Sequence, residues 1–327
     1  MRSNRRRAVT VLAGLGALAA APFLRAQEAF PSKPMRIVVP TSPGGNLDVM
    51  ARVIAERLQA ASAHSVIVEN RTGASSSIGT RFVGQSAPDG HTVLIMANTF
   101  ASTPALMPGA GYNPEKDFVG AILLARTPEL LVVPANSPFR TVGEVIAEAK
   151  AKPGTVTYAS AGAGSVGRFA AERFAYQQGL KLVHVPFKGN GDALIELVAG
   201  RVNIFFDQMS TSLPHVKGGR LKALAITSGS RSDLLPEVPT MAEAGVRDFE
   251  DYTWIGLSVP AATPRETVQR LHGAVQKVLQ QPEVRTRFAG LGLEVRGTES
   301  PEEFTSFVRS EVVRLGELAQ RANIKMD

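Results

Sequence analysis

Hydrophobic and polar positions along the chain fall into two alternating patterns. Near-continuous apolar runs at 35–40, 66–68, 92–96, 156–160, 182–186, 202–206, 221–226 and 254–259 predict strands. The segments between them carry helical spacing. Met50, Val53, Ile54 and Leu58 lie at i, i+3, i+4 and i+8, and Val166, Phe169, Ala170 and Phe174 repeat the arrangement. A short helix is predicted around 78–86, closed by the turn Pro88-Asp-Gly90. Thr141-Val-Gly-Glu144 reads as a capping box opening a helix to about Lys152, which Pro153-Gly154 ends. Thr263-Pro-Arg-Glu266 and Ser300-Pro-Glu-Glu303 open two further helices near the C-terminus, with Pro at the first helical position. Apolar strands separated by helices predict an α/β fold of parallel sheets covered on both faces. No repeat of fixed period and no low-complexity linker interrupts the series.

This length exceeds what one core usually holds, so two lobes are expected. The expected division is a discontinuous first lobe, 27–127 plus 254–327, and a second lobe, 128–253. Strands near 125–130 and 250–255 then cross between lobes and act as a hinge.

The N-terminus has the form of an export signal. Arg2, Arg5, Arg6 and Arg7 precede an uncharged stretch, 8–24, and Leu24-Arg25-Ala26 offers a small residue before a cut near Gln27. The stretch is short and poor in large apolar residues for a span of roughly 20 residues. Arg5-Arg6-Arg7 suits twin-arginine export, but Ala8-Val9-Thr10 fits that pattern loosely, so Sec export stays open. The segment holds five Arg and no acid. Its removal leaves 31 basic against 29 acidic residues, and the formal charge falls from +7 to +2. A charge that small, with one Trp and four Tyr, gives no basis for nucleic-acid or anionic-membrane binding. Cysteine is absent, which excludes disulfides, thiolate metal sites, a cysteine nucleophile and a lipoprotein anchor. The expected protein is periplasmic, monomeric, and without metal or cofactor.

Two strand–glycine loop–helix units carry the candidate chemistry. The first runs from the strand at 35–40 through Thr41-Ser-Pro-Gly-Gly45 into a helix from about Leu47. The second runs from the strand at 156–160 through Ala161-Gly-Ala-Gly-Ser165 into a helix from about Val166. Each places free N–H groups at the positive end of a helix, where a carboxylate is well received. Facing each other across a cleft, the two form a clamp for a small acidic molecule. The plain alternative is a pair of tight turns.

Other readings of the same residues compete. Gly162-Ala-Gly-Ser-Val-Gly167 matches a dinucleotide fingerprint, but the next strand runs into Phe187-Lys188 and lacks the ribose-binding acid. Ser165 within Ala163-Gly-Ser-Val-Gly167 resembles a hydrolase nucleophile one residue short of G-x-S-x-G, which makes an exported serine hydrolase acting on small acyl esters the rival function. The five histidines, at 64, 91, 184, 215 and 272, form neither a paired metal motif nor an evident catalytic base. Asp48 reads as a residue that favours the helix dipole or braces loop 41–45. Asn98 and Thr99 follow the strand at 92–96, and Asp207 ends the strand at 202–206, at edges where open α/β sheets bind ligands.

An ordered series of motifs resembles the Bug family of periplasmic solute receptors, the binding components of tripartite tricarboxylate transporters. It comprises Pro31-Ser-Lys-Pro-Met-Arg-Ile-Val-Val-Pro40, Pro43-Gly-Gly-Asn-Leu-Asp48, Val68-Glu-Asn-Arg71, Pro88-Asp-Gly-His-Thr92, Tyr158-Ala-Ser-Ala-Gly162, His184-Val-Pro-Phe-Lys-Gly189, Leu235-Pro-Glu-Val-Pro-Thr240 and Trp254-Ile-Gly-Leu257. The resemblance spans nearly all of the chain after the signal. It implies a two-lobe type II periplasmic-binding-protein fold closing on a carboxylated solute, without enzymatic activity. The solute would then pass to the transporter's membrane subunits or be reported to a sensor protein. By the resemblance, the ligand is held by Ser42, Gly44, Gly45, Asn98, Thr99, Ala161, Gly162, Gly164, Ser165 and Asp207. Two departures bear on ligand identity. Thr41-Ser42 stands where the family usually has an aromatic residue, and Arg168 stands where it often has His. Arg168 either adds a cation near the site or is an exposed helical residue.

Overall fold

The computed structural model describes residues 30–325, so the predicted export signal lies outside the described residues. The first βαβ series is β1 (Met35–Val39), α1 (Asn46–Ala61), β2 (Val66–Asn70), α2 (Ser77–Gly84) and β3 (Thr92–Ala97), followed directly by α3 (Asn98–Leu106). β1 pairs in parallel with both β2 and β3. The second series follows β4 (Phe118–Pro134). It comprises α4 (Val142–Ala151), β5 (Thr157–Ser160), α5 (Val166–Gln178), β6 (Val183–Pro186), α6 (Asn190–Val198), β7 (Ile204–Gln208), α7 (Met209–Lys217) and β8 (Leu221–Ile226). Here β5 pairs in parallel with β6 and β7. The chain then returns through β9 (Tyr252–Pro260) to α8 (Arg265–Leu279), α9 (Pro282–Gly290), β10 (Glu294–Val295) and α10 (Pro301–Arg321).

The strand order is β2-β1-β3-β9-β4-β7-β5-β6, with β8 and β10 also on β4. The fold is thus two α/β lobes sharing one strand. From Phe118 to Pro128, β4 pairs antiparallel with β9, which lies beside β3. From Glu129 onward the same strand pairs with β7 and β8. The change of partner falls between Pro128 and Glu129, while Pro128 itself lies opposite Tyr252, the first residue of β9. Each lobe is parallel within its βαβ units and antiparallel at the strands that cross.

Four hydrophobic clusters cover the two faces of the two lobes. Met50, Ile54 and Leu58 of α1 pack with Leu271 and Val275 of α8 and Phe288 of α9 on one face of the first sheet. Phe100, Trp254 and Phe304 gather on the other, beneath α3 and α10. Phe174 and Phe206 lie in the core under α4 and α5, and Leu194, Phe205 and Leu213 in that under α6 and α7. Each such fully buried side chain contributes roughly 1.5–3 kcal/mol by leaving water. Phe304 lies so close over β9 that a Cβ on Gly256 would overlap its ring, which accounts for a glycine in mid-strand.

The capping box at Thr141 and Glu144 forms with both of its hydrogen bonds, and Ser300 caps α10 through the Glu303 N–H. Three local expectations are corrected. The hydroxyl of Thr263 caps nothing: the chain turns once more, Thr263 N donating to Pro260 O, and α8 begins at Arg265. β7 runs two residues further than expected, so Asp207 lies inside the strand. Finally, 98–134 holds a helix and the longest strand among the described residues, where the sequence pattern marked only a crossing strand near 125–130. β4 is buried on both faces and broken by Gly120, Arg126 and Pro128, so it shows neither alternation nor a clean apolar run.

Candidate ligand-binding cleft

In each lobe three parallel strands end at one edge, and each end leads into a helix. β1, β2 and β3 lead to the heads of α1, α2 and α3, while β5, β6 and β7 lead to α5, α6 and α7. A helix head carries N–H groups with no intrahelical acceptor and a partial positive charge. The two edges meet. Asn46, at the head of α1, donates through Nδ2 to Ser210 Oγ at 2.6 Å and to Gln208 Oε1 of the second lobe. Ser102 of α3 donates to Gly164 O, in the loop before α5, at 2.9 Å.

Loop 41–45 is held from below by one carboxylate. Asp48 is buried and accepts from Gly44 N at 3.0 Å, from Asn70 Nδ2 at 3.0 Å and from Arg52 Nε at 2.9 Å. Asn70 also donates to Thr41 O. Burial alone raises the Asp48 pKa, but Arg52, the Gly44 N–H and Asn70 outweigh it and hold the carboxyl below its ordinary value. Asp48 is therefore the brace of this loop. Ser42, Gly44 and Gly45 are exposed at the rim, and Gly44 has φ +86°, a conformation that suits glycine. The N–H groups of Gly45 and Asn46 have no acceptor among the described residues.

The second loop is built differently. Ser165 caps α5, its Oγ accepting from Arg168 N at 3.4 Å and donating to Gly162 O at 2.7 Å. Gly162 has φ +112°, and its N–H donates to Ser160 Oγ. Ala161 and Gly162 are half-buried, and a Cβ on Gly164 would sit 3.2 Å from Ser102 Oγ. The N–H groups of Ala163 and Gly164 are without acceptors among the described residues. Gly167 completes the G-x-G-x-x-G pattern for a packing reason, since a Cβ there would overlap Phe206 O.

Two other expected site residues, Asn98 and Asp207, have their side chains engaged inside the protein. Asn98 is buried and pairs with β9 through both ends of its amide, donating to Tyr252 O at 3.1 Å and accepting from Trp254 N at 3.0 Å. Thr99 beside it is half-buried. Asp207 is fully buried and accepts from Thr211 at 2.7 Å, from Ser212 and from Asn190. Burial pushes its carboxyl up to about 6, against the lowering effect of those donors. Arg168 is buried in the first turn of α5, next to Tyr158, so the exposed reading of that residue is wrong.

Among the described residues, the Ser165 hydroxyl bonds to Gly162 O and Arg168 N and to no histidine. Two histidines meet serines elsewhere: His184 Nε2 lies 2.6 Å from the Oγ of fully buried Ser160 while its ring stacks on Tyr158, and His91 Nε2 lies 3.4 Å from Ser32 Oγ. The hydrolase reading gains no support from this geometry. Among the described residues, no group of three or more His, Asp or Glu is placed to hold a metal ion. The sequence reading missed the Asn46–Gln208–Ser210 contact, Ser102, and the buried Glu129 that accepts from Thr253 Oγ1 at 2.7 Å where β4 changes lobes. Only the polarity of Asn46 and Glu129 within otherwise apolar or glycine-rich stretches signalled them.

Two α/β lobes sharing a crossing strand, with helix heads facing across the gap, define a two-lobe solute-receptor architecture. The chain belongs to the tripartite tricarboxylate transporter receptor family, TctC, whose model matches residues 50–324. It is 33% identical to the protein BugT of Bordetella pertussis, over 91% of this chain and 92% of that one. Among solved structures, R. palustris Rpa4515 with adipate superposes with a TM-score of 0.84 at 32% identity, covering 90% of this chain and 99% of that one. MatC from Rhodopseudomonas palustris with bound malate gives 0.80 at 33% identity, covering 88% and 99%. The fold is therefore the type II periplasmic-binding-protein fold of this receptor family.

Proposed function

We propose that this chain is an exported receptor that binds a small carboxylate between its lobes, for uptake by a tripartite transporter or for sensing. The observation that carries the reading is the pair of glycine loops with unpaired N–H groups, one at the head of α1 and one at the head of α5, on edges that meet through Asn46 and Ser102. Such donors recognise a carboxylate without a cationic side chain. The relatives whose structures hold adipate and malate support the same class of ligand. In this reading Ser42, Gly44, Gly45, Ala161, Gly162, Gly164 and Ser165 touch the ligand with Thr99, whereas Asn98 and Asp207 position the loops that do.

The lobes are assigned as 27–127 plus 254–327 and 128–253, with the hinge at Pro128 and Tyr252. The receptor acts as a monomer in the periplasm after cleavage near Ala26 and meets the transporter's membrane subunits or a sensor protein. A thermal-shift screen of mono-, di- and tricarboxylates, aliphatic and aromatic, tests the reading. At least one acid is expected to raise the melting temperature without being converted. No stabilisation by any of them, or turnover of simple acyl esters lost in Ser165→Ala, overturns it.

A further inference from the structure

The carboxyl of Glu129 lies where the lobes join. Glu129 is the first residue of β4 after its change of partner, opposite Gln208 of β7, and Thr253 is the second residue of β9. Thr253 Oγ1 donates to Glu129 Oε1 at 2.7 Å, so this bond ties together the two strands that cross between lobes. Thr227, just past β8, completes the junction. Its Oγ1 accepts from Glu129 N at 2.8 Å and donates to Asp251 O at 2.6 Å. Glu129 is 1% exposed, and Thr127, Thr227 and Thr253 around it are fully buried. Gln208, its partner in register, accepts from Asn46 of the first lobe, so the residue beside Glu129 is itself a contact across the cleft.

The charges that face this carboxyl do not neutralise it. Asp207 from β7 and Asp251 from the segment before β9 are buried acids. From α6 and α7 the groups that meet Asp207 are uncharged: Asn190, Thr211 and Ser212. The cations of the neighbouring elements have other partners. Arg314 of α10 bonds to Glu311 at 2.6 Å and lies 3.6 Å from Asp251. Arg173 of α5 donates to the carbonyls of Asp248 and Glu250, and Arg126 of β4 lies over the Tyr252 ring and pairs with Glu294. A buried carboxylate without a cation is far more costly than the neutral acid, so such a group keeps its proton. Burial drives the Glu129 pKa well above the ordinary carboxylate range; the Thr253 bond opposes this, and Asp207 and Asp251 add to it.

Resting on the receptor reading and the hinge above, we infer that Glu129 is a positioning residue that couples closure to a proton: neutral when the lobes are closed, ionised when the hinge opens and water reaches it. Opening about Pro128 and Tyr252 parts Glu129 from Thr253 and removes the seal that keeps the acid neutral. Closure therefore takes up a proton. The closed form is favoured fully below the open-state pKa, and the advantage is lost as pH rises towards the closed-state value, by up to tenfold per pH unit for one proton. A carboxylate that selects the closed form then binds with proton uptake and more weakly at high pH.

Small-angle scattering of the ligand-free protein between pH 6 and pH 8.5 tests this without any ligand, on the wild type and on Glu129→Gln, which keeps the size and the acceptor but cannot ionise. The wild-type radius of gyration is expected to grow with pH, while Glu129→Gln stays compact throughout. Calorimetry with adipate and malate, in phosphate and in Tris, reads the protons taken up on binding. A fraction of one proton is expected for the wild type near pH 7 and none for Glu129→Gln, with affinity about tenfold weaker at pH 8 than at pH 6 in the wild type and within twofold in the variant. A wild-type radius independent of pH together with binding that takes up no proton overturns the inference and leaves the receptor reading intact, whether or not Glu129→Gln folds. A pH dependence that is the same in Glu129→Gln also overturns it. A radius that depends on pH only in the wild type supports it even where neither acid binds, and that failure then counts against the carboxylate reading alone.

Discussion

The amide of Asn46 in the first lobe donates to the hydroxyl of Ser210 in the second at 2.6 Å, closing the cleft with protein atoms alone. If the lobes open about the proposed hinge this bond must break, so it is expected to favour the closed form before any ligand contributes. A ligand that bridges the loops adds the differential affinity that closure requires. Asn46→Ala is expected to weaken carboxylate binding about fivefold to tenfold, consistent with losing bonds worth roughly 0.5–1.5 kcal/mol each. Small-angle scattering should show a larger radius of gyration for ligand-free Asn46→Ala than for the ligand-free wild type. Identical radii and affinities would show that the contact does not govern closure.

Gly44 and Gly162 have positive φ and flank the unpaired N–H groups of the two loops. Replacing either with Val is expected to abolish binding measurable by calorimetry, because a β-branched residue rarely adopts that conformation. Binding retained in both variants would remove the clamp from consideration. The receptor as a whole should remain folded, since a Cβ on Gly44 meets nothing within 4 Å.

Three buried acids set a pH dependence of stability. Burial raises Glu129, Asp251 and Asp207, the last from 3.8 to about 6. In each case the folded state holds its proton to higher pH than the unfolded chain. Their contribution is complete below the unfolded pKa of about 4 and is lost as pH rises through the folded values. For Asp207 the two-unit shift corresponds to roughly 3 kcal/mol, lost mainly between about pH 4 and pH 6. The wild type should therefore melt higher at pH 5 than at pH 7.5. Asp207→Asn should reduce that difference, and an unchanged difference would mean that Asp207 does not carry it.

Gly256→Ala should destabilise the fold by about 1–3 kcal/mol, because the new methyl group drives against Phe304 in a packed core. Denaturant unfolding reads the change directly. A neutral result would require the Phe304 ring to shift without cost.

Export is checked at the N-terminus. The periplasmic protein is expected to begin close to Gln27 and to appear in the osmotic-shock fraction. Recovery of intact Met1 in a membrane fraction contradicts it.

Much of the architecture was legible because its signals are local. The Thr141–Glu144 capping box depends on residues three apart, and Asp48 stands within one turn of the loop that it braces. What escaped depends on contacts far apart in the chain. Asn98 reads as a ligand residue at the sheet edge, yet it opens α3 and its side chain joins β9 through Tyr252 and Trp254. β4 has no periodicity because its partners change midway along it. A left-handed run at 73–76, before α2, is invisible in sequence, since Ala and Ser are not residues that announce positive φ.

Sharing β4 between lobes also fixes an order of assembly. The second lobe is nearly contiguous in sequence and can complete its pairings once β8 has emerged. The first cannot, because β3 pairs with β9, which the chain supplies only near its end. Until then Leu94, Ile95 and Met96 sit on an open apolar edge, the kind of template that invites pairing with another chain. A nascent or truncated molecule lacking Tyr252–Pro260 is thus expected to be the aggregation-prone species of this receptor, and the last quarter of the chain to decide whether the whole stays soluble.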